Sequence, residues 1–279
     1  IEVKPISGAL GAEVEGVVLS EDMGNAVFSE IQKALHENLV IFFRDQNLTP
    51  DEQKKFGRRF GTLNIHPQYV PLDGHPEILP VLKEPDETKN IGDVWHTDVS
   101  FLKQPSMGSL LYAHEVPTAG GDTMFANQYL AYETLSDGMK NLLNNVAAVH
   151  SDHVLSNPAN AADRNEGRST RIRENAMTEE EITNEHPVVR THVETGRKCL
   201  YVNRPFTVRF SGMTEAESQP LLEYLYTHAT RPEITCRFRW KKHSVAFWDN
   251  RCTQHYALND YHGHRRTMHR VTVNGERPI

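Results

Sequence analysis

Two residues apart, His96 and Asp98 offer an imidazole and a carboxylate. On an extended segment such a pair projects from one face and can grip a single metal ion. A second imidazole from elsewhere in the chain would complete a two-histidine, one-carboxylate face. That ligand set leaves positions open for substrate and dioxygen and is the one expected of non-haem Fe(II) oxygenases. The His-x-acid pattern also occurs at His150-Ser151-Asp152 and His192-Val193-Glu194. Context favours the first, because His96 and Asp98 lie between Trp95 and Val99-Ser100-Phe101, in a segment dense with strand-forming residues. His150 instead follows a helical stretch and leads into a polar one. For the distal histidine the candidates are His243, His255, His262, His264 and His269. His255 sits just beyond a strand-like run, a rigid support that the turn histidines His262 and His264 lack.

A second cluster with chemical potential is Arg265–Arg270, which carries three arginines in a strand-like stretch. By period two, Arg266, Met268 and Arg270 share one face and Arg265, Thr267 and His269 the other. Arginines facing inward are costly unless they meet anions, so this segment predicts either a surface pair or an anion site.

The elements that must position these residues follow from hydrophobic spacing. Val27, Phe28, Ile31, Ala34 and Leu35 predict an amphipathic helix, and Leu39–Phe43 a buried strand. Thr49-Pro50-Asp51-Glu52 reads as a capping box that opens a second helix. Short strands separated by turns are expected from about 79 to 126, and helix over 127–145. The stretch from about 153 to 185 is polar and predicts a lid inserted into an otherwise compact domain. Thr214-Glu215-Ala216-Glu217 opens a further helix, and Ile234–Trp240, Val245–Trp248 and His269–Val273 read as strands. The expected fold is mainly β with flanking helices, a sandwich or jelly roll in a single domain over 1–279. No GxGxxG or P-loop is present, and the strands do not alternate with helices as a Rossmann fold requires.

Composition bounds the function. The 279 residues carry a net charge of −7, which gives no electrostatic reason to expect a nucleic-acid partner. Cys199, Cys236 and Cys252 are odd in number and lack CxxC spacing, which fits a reducing compartment. With no apolar run of membrane-spanning length, the expected location is the cytoplasm.

Trp95–Phe101, Gly120-Gly121-Asp122-Thr123, Trp248-Asp249-Asn250, Gln254-His255-Tyr256 and Arg265–Arg270 resemble the taurine dioxygenase family in order and spacing, from about Gly8 to Pro278. These are Fe(II)- and 2-oxoglutarate-dependent oxygenases of alkylsulfonates and aryloxyalkanoates. The resemblance implies a double-stranded β-helix (jelly roll), with His96, Asp98 and His255 as iron ligands. It implies that Arg266 and Thr123 bind the far carboxylate of the cosubstrate 2-oxoglutarate, and that dioxygen takes the remaining site. His66, Tyr69, Val99, Phe206 and Arg270 match the pocket for a small anionic organic substrate. Taurine or another alkylsulfonate leads, with an alkylsulfate or aryloxyalkanoate as the alternative. Relatives are often dimers or tetramers, so a homo-oligomer is expected. Two departures count against taurine itself: Gly92 stands where the taurine enzyme has an asparagine, and an aromatic wall residue is replaced near Ser156. Ile91-Gly92-Asp93, Trp240-Lys241-Lys242 and Gly212–Ser218 resemble the aryloxypropionate branch. The rivals are a non-redox jelly-roll metal-binding protein and a zinc hydrolase using the same ligands. The latter is disfavoured by the lack of a glutamate beside them.

Overall fold

Alternation along Val40-Ile41-Phe42-Phe43 sends successive side chains to opposite faces of a sheet, and all four are buried because both faces are covered. A computed structural model describes residues 1–152, 165–173 and 178–279. That strand, β3 (Val40–Phe43), lies in a seven-stranded sheet. Its spatial order is β1 (Glu2–Pro5), β2 (Ala12–Glu15), β3, β13 (Val245–Asp249), β5 (Gly108–Glu115), β15 (Arg266–Val273) and β4 (Ile78–Lys83). On one face Ile41, Phe43, Leu110, Tyr112, Phe247 and Val271 pack against α1 (Asn25–Asn38) and α2 (Pro50–Arg58). The opposite face packs on a three-stranded sheet, ordered β12 (Thr235–Phe238), β6 (Thr123–Asn127), β14 (Thr253–Ala257). There Phe42 stacks on Phe238 with ring centroids 3.9 Å apart. β14 and β15 therefore sit in facing layers. A histidine on one and arginines on the other can meet between the sheets.

The sequence signals at helix starts hold. Thr49 accepts from the Glu52 amide and Glu52 from that of Thr49, and Thr214 and Glu217 do the same at the start of α6 (Glu215–Ala229). The expected helix over 127–145 is instead two helices, α3 (Gln128–Glu133) and α4 (Asp137–Leu143). Two side chains explain the break: Asn127 and Ser136 each accept a backbone N–H, so each starts its own helix.

His150 follows α4, as expected, and lies inside β7 (Ala147–Ser151), the centre of another three-stranded sheet between β11 (Thr207–Phe210) and β8 (Thr183–Pro187). β9 (Val189–Thr191) and β10 (Lys198–Leu200) form a two-stranded sheet. Of the expected lid, 153–164 and 174–177, with Ser156, lie outside the described residues. The described parts are tied down. Ile172 bridges to Tyr69, Thr170 Oγ1 accepts from the Leu82 amide at 2.7 Å, and α5 (Glu179–Ile182) runs into β8. No helix among the described residues is long and apolar enough to cross a membrane.

Candidate active site

His96 does not sit on a strand, contrary to its setting among strand formers. It makes a single antiparallel bridge to His255 of β14, through N–H···O contacts of 3.0 and 2.8 Å. Asp98 already belongs to a turn in which Val99 takes φ +46°. A β-branched residue in that region costs on the order of 1–3 kcal/mol, and such strain concentrates at functional sites. The bridge sets the two imidazoles beside each other, with ring centroids 4.1 Å apart, and the turn brings the carboxylate under them. Asp98 Oδ1 is 3.8 Å from both His96 Nε2 and His255 Nε2. One ligand atom from each of the three residues lies within 4.8 Å of the others, close enough for one ion to touch all three.

The protonation states suit a metal. His96 Nδ1 is 2.7 Å from the Val94 carbonyl, which can only accept, so Nδ1 carries the hydrogen and Nε2 a free lone pair. Burial lowers the pKa of His96 and takes that of His255 well below its ordinary value, keeping both neutral. Burial pushes the Asp98 carboxyl up, but Arg270, His255, His96 and Ser109 together more than offset it and hold it below the usual carboxylate range. Gly92, at φ +77°, leaves room for this arrangement, since a Cβ there would lie 2.9 Å from His96 Cε1.

The arginines divide as the alternation of β15 predicts: Arg266, Met268 and Arg270 are buried, Thr267 and His269 only partly. Arg270 Nη1 donates to Asp98 Oδ1 at 2.8 Å, while its Nε is buried with no hydrogen-bond partner. Arg266 is 3% exposed, and its Nε and Nη2 also lack partners. An always-charged guanidinium with orphaned buried donors is the protein half of an anion site. Gly121, at φ +69°, clears the space: a Cβ there would sit 3.3 Å from Arg266 Cδ. A cavity of about 300 Å³ runs from His96 and Asp98 past Val99, Phe101 and Phe206 to His66, Tyr69 and Arg270.

Residues 2–272 match the profile of the family described as "Taurine catabolism dioxygenase TauD, TfdA family". The chain belongs to this family. It is 38% identical over 283 aligned positions to the alpha-ketoglutarate-dependent sulfate ester dioxygenase of Pseudomonas putida, covering 100% of the chain and 91% of that relative. A crystal structure of a taurine dioxygenase from Burkholderia xenovorans superposes with a TM-score of 0.83 at 36% identity, covering 100% of this chain and 90% of that one. The structure of AAD-2 in complex with Mn(II) and N-oxalylglycine superposes with a TM-score of 0.78 at 27% identity, covering 99% and 98%.

Within this family member His66, Tyr69, His96, Asp98, Val99, Phe206 and Arg270 converge on one cavity, while His255, Arg266 and Thr123 do not line it. Arg266 faces a separate small pocket with Lys83, Asn90 and Tyr261. Thr123 Oγ1 accepts the Trp240 indole N–H at 2.9 Å, and Arg266 lies 5.8 Å from the Trp240 ring. Thr123 thus meets the arginine through Trp240. The other His-x-acid pairs are spent elsewhere. His150 contacts Ser100 Oγ at 3.1 Å, and His192 Nε2 is 2.9 Å from Asp249 Oδ2. His192, Asp249 and Cys252 do form a second group of metal-ligand types. There, however, Arg251 saturates the carboxylate with its amide, Nε and Nη2 at 2.9, 2.9 and 2.7 Å. Sequence reasoning missed Ser109, to which it gave no role, and left Asn250 as a bare motif letter. Both contact Asp98.

His66 supplies a pH test. Its Nδ1 accepts from the amides of Gln68 and Tyr69 at 3.2 and 3.4 Å, so Nε2 carries the hydrogen. Burial, reinforced by Arg270, lowers its pKa to about 3, and burial takes His186 and His269 to about 4. Each folded value lies below the unfolded one, so the unfolded chain binds more protons in acid. Stability is therefore lost as pH falls from about 6.5 toward 4, by about 1.4 kcal/mol per pH unit for each such histidine. Urea unfolding of His66→Gln across this range should show a slope lower by about one proton. An unchanged slope would show that His66 is not held neutral.

Proposed function

We propose that this chain is an Fe(II)- and 2-oxoglutarate-dependent dioxygenase, a single-domain double-stranded β-helix, that oxidises the carbon next to the oxyanion of a small organic sulfonate or sulfate ester. The observation that carries this is the pair of buried guanidiniums at alternate positions of β15, one on the carboxylate of the His–Asp–His group and one with unpaired donors. Iron, 2-oxoglutarate and dioxygen together supply the oxidation, giving succinate, carbon dioxide and a hydroxylated carbon. The protein's residues bind, orient and exclude water. His96, Asp98 and His255 would hold the metal, and Arg266 the far carboxylate of 2-oxoglutarate. Arg270, the His66 Nε2–H and the Tyr69 hydroxyl would hold the substrate oxyanion, while Val99, Phe101 and Phe206 pack against its carbon chain. A tetrahedral sulfur oxyanion can accept from several donors at once, whereas a planar carboxylate chiefly needs the arginine fork.

Hydroxylation beside the sulfur group is unstable and collapses to an aldehyde plus sulfite from a sulfonate, or plus sulfate from a sulfate ester. The similarity to a sulfate ester dioxygenase along the whole chain supports including the ester. A panel of alkylsulfates, alkylsulfonates (taurine among them) and aryloxyalkanoates, scored by succinate formed with Fe(II) and ascorbate, tests this. Sulfate or sulfite should appear in step with succinate. His66→Ala and Tyr69→Phe should each raise the substrate KM about tenfold, leaving that of 2-oxoglutarate unchanged, since a hydrogen bond to a charged group contributes about 1.5–3 kcal/mol. Phenol release instead, with Arg270→Ala dominating and His66 indifferent, would move the substrate to the aryloxyalkanoates.

A further inference from the structure

The two oxygens of Asp98 live in different surroundings. Oδ1 faces the two imidazoles and Arg270. Oδ2 accepts from Ser109 Oγ at 2.7 Å and faces Asn250 Nδ2 at 3.4 Å. Asn250 Nδ2 also donates to Ser109 Oγ at 3.1 Å, and Asn250 Oδ1 accepts the Trp248 indole N–H at 2.9 Å. These partners fix the direction of every bond. An indole can only donate, so the amide oxygen must face Trp248 and the NH₂ must face the serine and the carboxylate. The chain therefore runs one way, from Trp248 through Asn250 and Ser109 to Asp98.

All three members are buried and come from neighbouring backbone: Ser109 on β5 is the register partner of Trp248 on β13, and Asn250 follows two residues later. Trp248 also packs on the His255 ring, with centroids 4.7 Å apart. His255 Nδ1 has no hydrogen-bond partner, so packing and the backbone bridge hold that ring where an outer hydrogen bond ordinarily would.

We propose that Ser109 and Asn250 act as one unit of positioning residues. By occupying Oδ2 they turn Asp98 so that a single oxygen, Oδ1, is presented to the metal. This rests on the iron site proposed above. Without the unit the carboxylate can swing and offer both oxygens, taking a position that the site needs free.

The test measures Fe(II) affinity by competition with a chelator, and the visible band of the anaerobic Fe(II)–2-oxoglutarate complex, for wild type, Ser109→Ala, Asn250→Ala and the double variant. Each single variant should bind iron at least about tenfold more weakly, the range seen when an outer partner of a metal ligand is removed. Their bands should shift together, and the double variant should match the weaker single within about twofold. Ser100→Ala serves as a control for losing a nearby buried hydroxyl, since Ser100 Oγ bonds Asn203 at 2.9 Å and contacts His150 rather than Asp98. It should bind iron as wild type does. Asn250→Ala strands the Trp248 N–H and can unfold the chain, but Ser109→Ala removes only one oxygen and decides alone. If wild type binds iron and Ser109→Ala binds it within twofold with an unshifted band, the positioning role fails while the iron site stands. Losses that simply add in the double variant would also overturn it. A wild type that binds no iron removes both.

Discussion

Replacing His255 with alanine will abolish iron-dependent turnover and weaken Fe(II) binding by more than about a hundredfold. Outer partners of metal ligands alone are worth 10–100-fold, and a ligand itself contributes more. The group offers one atom from each of three residues, so nothing in it can substitute for a lost imidazole. The effect should not be mistaken for unfolding. His255 is buried between Trp248 and Phe125, so the truncation also leaves a void, and apo-protein melting must be followed alongside. His96→Ala should lose iron equally. Asp98→Ala should in addition destabilise the apo protein, because it leaves the buried Arg270 guanidinium without its carboxylate. Breaking a buried ion pair from one side costs about 3–5 kcal/mol. His150→Asn and His192→Asn should keep wild-type iron stoichiometry, since those rings contact Ser100 and Asp249. A folded His255→Ala protein with one tightly held iron per chain would refute the assignment.

Arg266→Met is expected to act in opposite directions on stability and binding. The guanidinium is buried, Nε and Nη2 find no partner, and Tyr261 and Asp122 only partly offset the burial that disfavours its charge. A methionine of similar length fills the same space without that penalty and should raise, or at least not lower, the apo melting temperature. In the role proposed for Arg266, the same change removes two donors from the far carboxylate of 2-oxoglutarate. At about 1.5–3 kcal/mol each, 2-oxoglutarate affinity should fall at least about a hundredfold. Isothermal titration with 2-oxoglutarate in the presence of Mn(II), together with thermal melts, measures both effects. A variant that melts lower and binds 2-oxoglutarate as before would mean that Arg266 is structural.

What the sequence determined by itself was local and periodic. Capping boxes at Thr49 and Thr214 are set by neighbours within four residues and appear as expected. The buried strand expected over Leu39–Phe43 starts one residue later because Leu39 ends α1, and Arg266, Met268 and Arg270 share one face by period two. The break at Asn127 and Ser136 was written in the same local chemistry, but hydrophobic spacing overrode it. Residue types also named the chemistry, since two histidines and one carboxylate beside inward arginines suit few tasks.

Tertiary structure alone decided which of these residues meet. Three His-x-acid pairs look alike in one dimension. Among the described residues His150 packs on His186 and His192 on His36. Only His96-Thr97-Asp98 among these pairs joins a second histidine in a His–Asp–His group, by a bridge across 159 positions and a strained turn at Val99 that no propensity predicts. His192 and Asp249 assemble an equally plausible ligand group, which Arg251 then fills. Ser109 was invisible because a serine on a strand carries no signal until its register partner is known. Pairing β5 with β13 sets it beside Trp248, and the following turn brings Asn250 onto the same carboxylate. A side chain's type is fixed by the sequence, but whether its donors are spent or free depends on which strands lie across from it.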